Sequence, residues 1–141
     1  MKLRFGILST ASIVPRFLKA ARETDELQVT ALASRNLEKA REKAKEWDIP
    51  LAFGSYEELL RAPEIDAVYI ATINNHHGRY ARQALEAGKH VLCEKPFVTS
   101  EEEVHQLFAL AREKGLFLME AQKAVFLPAI QKAKELIKSG A

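Results

Sequence analysis

Leu3-Arg4-Phe5-Gly6-Ile7-Leu8 is a short, largely apolar run that ends at the small residues Ser9-Thr10-Ala11-Ser12. A helical pattern follows from Ile13 to Ala21, with Pro15 early in the helix, where proline is tolerated. This order predicts a strand, a tight loop and a helix, which together form the first unit of an alternating α/β chain.

The same unit repeats along the rest of the chain, where apolar runs of strand length alternate with amphipathic segments of helix length. The later runs lie at residues 27–33, 51–53, 66–71, 90–93 and 116–119. Repeated β-then-α units imply a parallel sheet with right-handed crossovers and helices on both faces. We therefore predict a Rossmann-type doubly wound parallel sheet in three α/β/α layers.

The composition of the 141 residues, 48% hydrophobic and 28% charged, is typical of a globular domain. A net charge of +2 gives no reason to expect nucleic acid or an anionic membrane as a partner. The longest apolar runs have the length of strands, so we expect no membrane span and a cytoplasmic location. Cys93 is the single cysteine, which excludes an internal disulfide and a multi-cysteine metal site, and we predict no metal.

Polar clusters stand just past four of the predicted strands, at Ser9–Ser12, Ser34–Asn36, Thr72–His77 and Glu94–Pro96. In an open parallel sheet the carboxyl ends of the strands form one edge, and ligands bind there. The clusters therefore predict a ligand site at that edge. The alternative is that loops between strands and helices are polar without binding anything.

The first loop is a degraded dinucleotide fingerprint. The three glycine positions of the usual G-x-G-x-x-G pattern are occupied by Ser9, Ala11 and Val14. Small residues at the first two positions still permit close approach of a pyrophosphate, and the following helix N-terminus favours an anion. A tight turn without a ligand is the alternative for this loop.

The second loop, Ser34-Arg35, has no carboxylate before Glu38. An acidic residue in this loop usually holds the adenosine ribose of NAD, whereas an arginine suits the extra phosphate of NADP. A guanidinium can bind that phosphate through two hydrogen bonds. We predict NADP as the cofactor, with NAD possible. A solvated surface arginine is the alternative for Arg35.

The fifth loop, Glu94-Lys95-Pro96, follows the predicted strand at 90–93. A lysine at this edge, next to a bound nicotinamide, could donate a hydrogen bond to a substrate oxygen and polarise it. We predict Lys95 as the catalytic residue of the chain. An ordinary exposed lysine is the alternative.

Four segments of the chain, in order, carry a resemblance to a known family. They are Phe5-Gly6-Ile7-Leu8-Ser9-Thr10-Ala11-Ser12-Ile13, Ala33-Ser34-Arg35-Asn36, Ala71-Thr72-Ile73-Asn74-Asn75-His76-His77 and Glu94-Lys95-Pro96. Together they resemble the N-terminal half of the Gfo/Idh/MocA oxidoreductases, and the match covers essentially the whole chain. The L-S-T-A version of the first loop looks like the dihydrodiol-dehydrogenase side of that family.

The resemblance implies a role for each loop. Lys95 would meet both the nicotinamide ribose and the substrate, and in this family the proline at Pro96 often follows a cis peptide bond. The implied cofactor contacts are Ser9, Thr10, Ala11, Ser12 and Ile13 at the pyrophosphate, Ser34 and Arg35 at the adenosine ribose, Thr72, Asn74 and His77 at the nicotinamide side, and Glu94, Lys95 and Pro96 in the fifth loop. The chain departs from the family pattern at Ser9, where glycine is usual, and at Ile73, where proline is usual.

The resemblance also implies that the cofactor and the substrate are bound by two different domains. Residues 1–122 would form the NAD(P)-binding domain, and residues 123–141 a helix that leads into a C-terminal substrate domain absent from this chain. That domain would supply the substrate pocket, an acid/base histidine and the usual oligomer interface, so we expect a homo-oligomeric parent with a small-molecule substrate. The expected activity is hydride transfer between the nicotinamide and a sugar, polyol or diol, and we expect the truncated chain alone to be inactive.

Two other functions stay open at this point. The first is a non-catalytic dinucleotide-binding module, such as a sensor or a partner-dependent subunit. The second is a methyltransferase, which the fold alone permits, although the acidic residue expected after the second strand is missing.

Overall fold

The computed structural model describes residues 2–140 and contains one six-stranded parallel sheet with the strand order β3-β2-β1-β4-β5-β6. The strands are β1 (Leu3–Leu8), β2 (Leu27–Ala33), β3 (Leu51–Phe53), β4 (Ala67–Ile70), β5 (His90–Cys93) and β6 (Leu118–Glu120). The helices are α1 (Val14–Ala21), α2 (Leu37–Glu46), α3 (Tyr56–Arg61), α4 (His77–Glu86), α5 (Glu101–Glu113) and α6 (Pro128–Ser139). Short 3-10 helices cover Asn74–His76 and Lys123–Phe126. Met1 and Ala141, the outer ends of the two predicted segments, lie outside the described residues.

The strand order is that of a doubly wound Rossmann sheet, in which the order reverses between β1 and β4. All four residues of β4 are buried, because the strand pairs with β1 on one side and β5 on the other. Gly6 of β1 permits close packing of α3 here, since a Cβ at this position would lie 2.6 Å from the Leu59 side chain, which would have to shift. The predicted Rossmann-type fold is confirmed.

Helices cover both faces of the sheet, which confirms the predicted three layers. On one face, Val14 and Leu18 of α1 and Ala44 of α2 pack in a core with Ile7 and Tyr69. The other face packs against α3, α4 and α5, which contribute apolar residues to the larger core. The core residues of those three helices are Tyr56, Leu59, Leu60, Tyr80, Ala81, Ala84, Leu85, Leu107 and Ala111.

One part of the sheet lies beneath a cavity instead of a helix. Leu92 of β5 and Met119 of β6 are half-buried and line a cavity of about 690 Å³ on the face where α1 and α2 lie over the other strands. Every residue of α6 is exposed, including Ile130, Leu136 and Ile137. No helix of residues 2–140 is long and apolar enough to cross a membrane.

The sixth strand begins two residues later than the sequence predicts. The run 116–119 was expected to be the strand, but Leu116 donates its amide to the Ala111 carbonyl at 2.8 Å and so belongs to the turn that closes α5. The Phe117 amide donates to Nδ1 of His90 at 2.9 Å, and its side chain is exposed. These contacts at the end of the helix displaced the strand to Leu118–Glu120.

A bidentate ion pair joins the start of β4 to β1. The Arg4 side chain donates to both oxygens of Asp66, at 2.9 and 2.6 Å, and the Arg4 amide donates to Asp66 Oδ2 at 2.9 Å. The side-chain hydrogen bond from Arg4 is the largest cause that lowers the pKa of Asp66, from 3.8 to about 2. Because the folded state favours the ionised form of Asp66, the ion pair contributes its full stabilisation at pH values above the pKa of Asp66 in the unfolded chain. This stabilisation is lost as the pH falls through the pKa of Asp66 in the folded state.

We predict that Asp66→Asn lowers the free energy of unfolding near neutral pH by about 1 kcal/mol, a value reduced for the partial exposure of the carboxylate. The loss should disappear between about pH 4 and about pH 2, where the native carboxylate itself becomes protonated. Urea unfolding at several pH values measures both effects. Asp25→Asn, which removes a fully exposed carboxylate paired with Lys2, is the control. Equal effects of the two substitutions at neutral pH would contradict the prediction.

Candidate functional site

The loops that follow the strands all begin at the carboxyl edge of the sheet, where backbone hydrogen bonds between neighbouring strands align them. In each case the residue just after one strand donates its amide to the last residue of the neighbouring strand, at 2.7–3.2 Å. The donor and acceptor pairs are Ser9 to Ala33, Ser34 to Phe53, Ala71 to Leu8, Glu94 to Ile70, and Ala121 to Cys93. The predicted polar clusters therefore begin at one edge.

The loop after β1 presents free amide groups. Ser9 has a φ of 121°, a left-handed conformation that favours glycine, so the backbone keeps the shape of the glycine fingerprint although the residue is serine. The Ala11 amide donates to the Ser9 hydroxyl at 3.1 Å. Within residues 2–140, the amides of Thr10, Ser12 and Ile13 donate no hydrogen bond. Three free amides at the start of α1 form a set of donors suited to an anion.

The loop after β2 separates into a buried serine and an exposed arginine. Ser34 is buried, and its hydroxyl accepts the Asn36 amide at 3.3 Å. Asn36 caps α2 by accepting the Lys39 amide at 3.0 Å. Arg35 is exposed and forms no ion pair with any carboxylate of the described part of the chain. Its guanidinium is available to a ligand.

The loop after β4 is supported from beneath by His77. This side chain is 1% exposed. Its Nδ1 lies 2.8 Å from the Pro96 carbonyl oxygen and its Nε2 lies 3.0 Å from the Thr72 carbonyl oxygen. His77 thus lies between a carbonyl oxygen of the fourth loop and one of the fifth, and the N–H of a neutral imidazole donates to one of the two. The side chains nearer solvent are the half-buried Thr72 and the exposed Asn74.

The loop after β5 is held at three points around an exposed Lys95. Glu94 Oε1 accepts the Tyr69 hydroxyl at 2.6 Å, and Glu94 Oε2 accepts the Lys95 amide at 3.3 Å. The Phe97 amide donates to Glu120 Oε1 at 2.9 Å. The Lys95–Pro96 peptide bond is cis, as the resemblance implies. The Lys95 side chain forms no ion pair within residues 2–140, which leaves its ammonium group available.

The cavity of about 690 Å³ adjoins this loop and brings together three of the predicted site residues, Ile13, Glu94 and Lys95. The other predicted residues lie in neighbouring loops along the edge, except His77, which is buried beneath the loops at the start of α4. The cavity floor is apolar and its rim is charged. The floor includes Phe17, Tyr69, Leu92 and Met119, and the rim includes Arg16, Glu94, Lys95 and Lys123, together with the exposed Phe126. A smaller cavity of about 240 Å³, lined by Leu18, Arg22 and Trp47, contains none of the predicted residues.

Two ionisable groups beneath the site, Tyr69 and Cys93, are held neutral. Burial, and then the hydrogen bond to Glu94, raises the pKa of Tyr69 far above its ordinary value, so the hydroxyl remains a donor. Burial also raises the pKa of Cys93 to about 12. Cys93 is therefore a small buried side chain and not a nucleophile.

The sequence interpretation missed Tyr69, Phe17 and Glu120. A signal existed for Tyr69, because a hydroxyl inside an otherwise apolar buried strand needs a hydrogen-bond partner nearby. No comparable signal marked Phe17 or Glu120, whose roles depend on strands and helices that are distant in sequence.

Comparisons with known proteins identify the family to which this chain is similar. Residues 3–122 match the profile of the GFO_IDH_MocA oxidoreductase family, described as having an NAD-binding Rossmann fold. The chain is 42% identical over 142 residues to the trans-1,2-dihydrobenzene-1,2-diol dehydrogenase of Bos taurus. It is 39% identical over 133 residues to the scyllo-inositol 2-dehydrogenase (NADP(+)) IolU of Bacillus subtilis.

A solved structure shares both the fold and part of the sequence. It is the 3-ketoreductase KijD10 of Actinomadura kijaniata in complex with NADP and TDP-benzene, with a TM-score of 0.92 and 33% identity over 99% of this chain. The chain spans 42% of the bovine enzyme, 40% of the Bacillus enzyme and 43% of KijD10. The fold, the loops at its carboxyl edge and the match over residues 3–122 together establish that the chain belongs to the Gfo/Idh/MocA oxidoreductase family and forms its NAD(P)-binding Rossmann domain.

Proposed function

We propose that the chain binds NADP(H) along the carboxyl edge of its sheet and serves as the nucleotide-binding half of an oxidoreductase. The parent enzyme transfers a hydride between the nicotinamide and a hydroxyl or carbonyl group of a sugar, polyol or diol. One observation carries the proposal. The free amides after β1, the unpaired Arg35 after β2 and the unpaired Lys95 after β5 are held at one edge by hydrogen bonds between neighbouring strands.

The donors and acceptors along this edge fit a phosphorylated dinucleotide. The amides of Thr10, Ser12 and Ile13 would bind the pyrophosphate, since they have no other acceptor within residues 2–140. Arg35 would bind the phosphate on the adenosine ribose. At the other end, Glu94 would accept hydrogen bonds from the ribose next to the nicotinamide, because a carboxylate accepts from hydroxyl groups and repels phosphate.

Lys95 is the residue proposed to act on the substrate. When bound, the nicotinamide supplies the hydride donor or acceptor of the reaction. The Lys95 ammonium would donate a hydrogen bond to the reacting oxygen and stabilise negative charge that develops there. Contacts at Glu94, Pro96 and Phe97 hold the backbone of this loop, which leaves only the lysine side chain to adjust to the substrate.

The relatives support the substrate class. The bovine relative is named for a cyclic diol and the Bacillus relative for an inositol, and both are dehydrogenases. A ring that carries adjacent hydroxyl groups is consistent with a cavity that has an apolar floor and a charged rim. A second domain and a homo-oligomeric parent are part of the same proposal, and the cytoplasmic location stays a prediction.

A non-catalytic dinucleotide-binding module is the second candidate. The observation that favours it is the open cavity beside Lys95. None of the described residues that line this cavity is a histidine, the side chain that an enzyme of this kind would use as acid/base group. Both candidates bind the same cofactor, and turnover by an enzyme that contains this chain separates them.

We predict that the chain binds NADPH roughly ten- to a hundredfold more tightly than NADH, because a charge-assisted hydrogen bond contributes about 1.5–3 kcal/mol. Calorimetric titration with both cofactors measures the ratio. Arg35→Ala should remove most of the preference, whereas Arg112→Ala, which removes an exposed arginine near the end of α5, should leave it unchanged. Equal affinity of the unmodified chain for the two cofactors would rule out the proposed role of Arg35.

We predict that the 141 residues alone bind NADPH but do not turn over common polyols and aldoses above background. A positioned acid/base group typically contributes about 10²–10⁴-fold, and the described wall of the cavity offers no histidine for that task. Absorbance of NADPH during a substrate screen measures turnover. Robust activity of the chain by itself would show that its own residues complete the site.

We predict that Lys95→Ala, in a form of the protein that carries the substrate-binding half, lowers kcat by about 10²–10⁴-fold while NADPH affinity changes little. Lys95→Arg should restore little activity, because a planar guanidinium cannot place a compact donor at the same point. Steady-state kinetics and a separate cofactor titration measure the two effects, with Lys45→Ala on the exposed face of α2 as the control. A near-normal kcat for Lys95→Ala would remove Lys95 from the mechanism.

A further inference from the structure

Tyr69 places a polar group beneath the edge of the sheet. Its side chain is 2% exposed, and its ring stacks on Phe17 of α1 with the ring centres 4.1 Å apart and the planes at 14°. Burial of a hydroxyl costs free energy unless the group finds a partner. The partner is Glu94 in the fifth loop, whose Oε1 accepts the hydroxyl at 2.6 Å.

This contact fixes the direction in which the Glu94 carboxylate points. One oxygen accepts the Tyr69 hydroxyl and the other accepts the Lys95 amide. An ionised carboxylate has about four acceptor positions, so acceptor capacity remains on Glu94. Because burial keeps Tyr69 protonated, its hydroxyl group donates the hydrogen bond and the Glu94 carboxylate accepts it.

We infer that Tyr69 is a positioning residue: it holds the Glu94 carboxylate in the orientation that accepts hydrogen bonds from the ribose next to the nicotinamide. The inference rests on the proposed function. Tyr69 touches no cofactor atom in this account and acts only through Glu94.

The ring of Tyr69 has a second, separable effect. Through Phe17 it packs against α1, the helix that follows the pyrophosphate loop, and the same side chain reaches the fifth loop through its hydroxyl. Tyr69→Phe preserves the ring, its stacking and its burial, and removes the single hydrogen bond to Glu94. The substitution therefore tests positioning without emptying the core.

The experiment compares two ligands on the 141-residue chain. NADPH contains the nicotinamide ribose, whereas adenosine 2′,5′-bisphosphate contains only the adenosine end and cannot reach Glu94. Tyr69→Phe should weaken NADPH binding by about three- to tenfold, less than the loss of a whole charge-assisted hydrogen bond, because the variant keeps the Glu94 carboxylate and removes only its orientation. Its affinity for adenosine 2′,5′-bisphosphate should be unchanged. Fluorescence titration measures the first affinity and calorimetry the second.

Two further variants complete the test. Tyr80→Phe removes the hydroxyl of another buried tyrosine, one that makes no hydrogen bond to Glu94, and should leave both affinities unchanged. In the Glu94→Gln background, Tyr69→Phe should cause a smaller additional loss of NADPH affinity than it does in the unmodified chain, because the carboxylate that it orients is gone.

The outcomes separate the inference from the proposed function. If the unmodified chain binds NADPH and Tyr69→Phe binds it equally well, the inference is wrong and the proposed function stands. An equal loss for both ligands would show a general structural effect and would also overturn the inference. If the unmodified chain binds neither ligand, the proposed function fails, and the inference fails with it.

Discussion

The parallel direction of all six strands is the constraint on which the site depends. Because every strand runs the same way, every loop that leaves a strand toward the next helix begins at the same edge of the sheet. Backbone hydrogen bonds such as those from Ser9 to Ala33 and from Glu94 to Ile70 align the first residues of these loops along the edge. Residues that are 85 positions apart in sequence, such as Ser9 and Glu94, therefore serve one surface.

Buried or half-buried polar side chains hold the exposed part of this surface in place. Tyr69, His77 and Glu120 contact the fifth loop at Glu94, Pro96 and Phe97. Each of the three lies on a different part of the fold: in β4, at the start of α4 and at the end of β6. Their contacts satisfy polar groups that burial would otherwise penalise, and the same contacts fix the loop around Lys95. The position of the exposed Lys95 is thus fixed by hydrogen bonds that the residues beneath it make to its loop.

Helices cover only part of one face of the sheet, and the part without a helix adjoins the candidate site. α1 and α2 pack on one face of the strands nearest β1, whereas the cavity lies over Leu92 and Met119 on that same face. α6 is exposed along its length and carries apolar side chains. The relatives are more than twice as long as this chain, since it spans 40–43% of them. The proposal that a second domain supplies the substrate half of the site rests on these features.

The sequence by itself determined the order of strands and helices, because the alternation of apolar runs and amphipathic segments is a local property that burial on a parallel sheet requires. It also predicted which polar loops begin at the carboxyl edge of the sheet, since clusters such as Ser34–Asn36 and Glu94–Pro96 follow the strands directly. The tertiary structure alone decided what supports those loops. Whether His77 faces a ligand or joins two carbonyl groups, and whether Tyr69 only packs or also orients Glu94, depends on distances between elements that are far apart in the chain. No local pattern encodes those distances, because they arise only when the strands pair in register and the helices pack on the sheet.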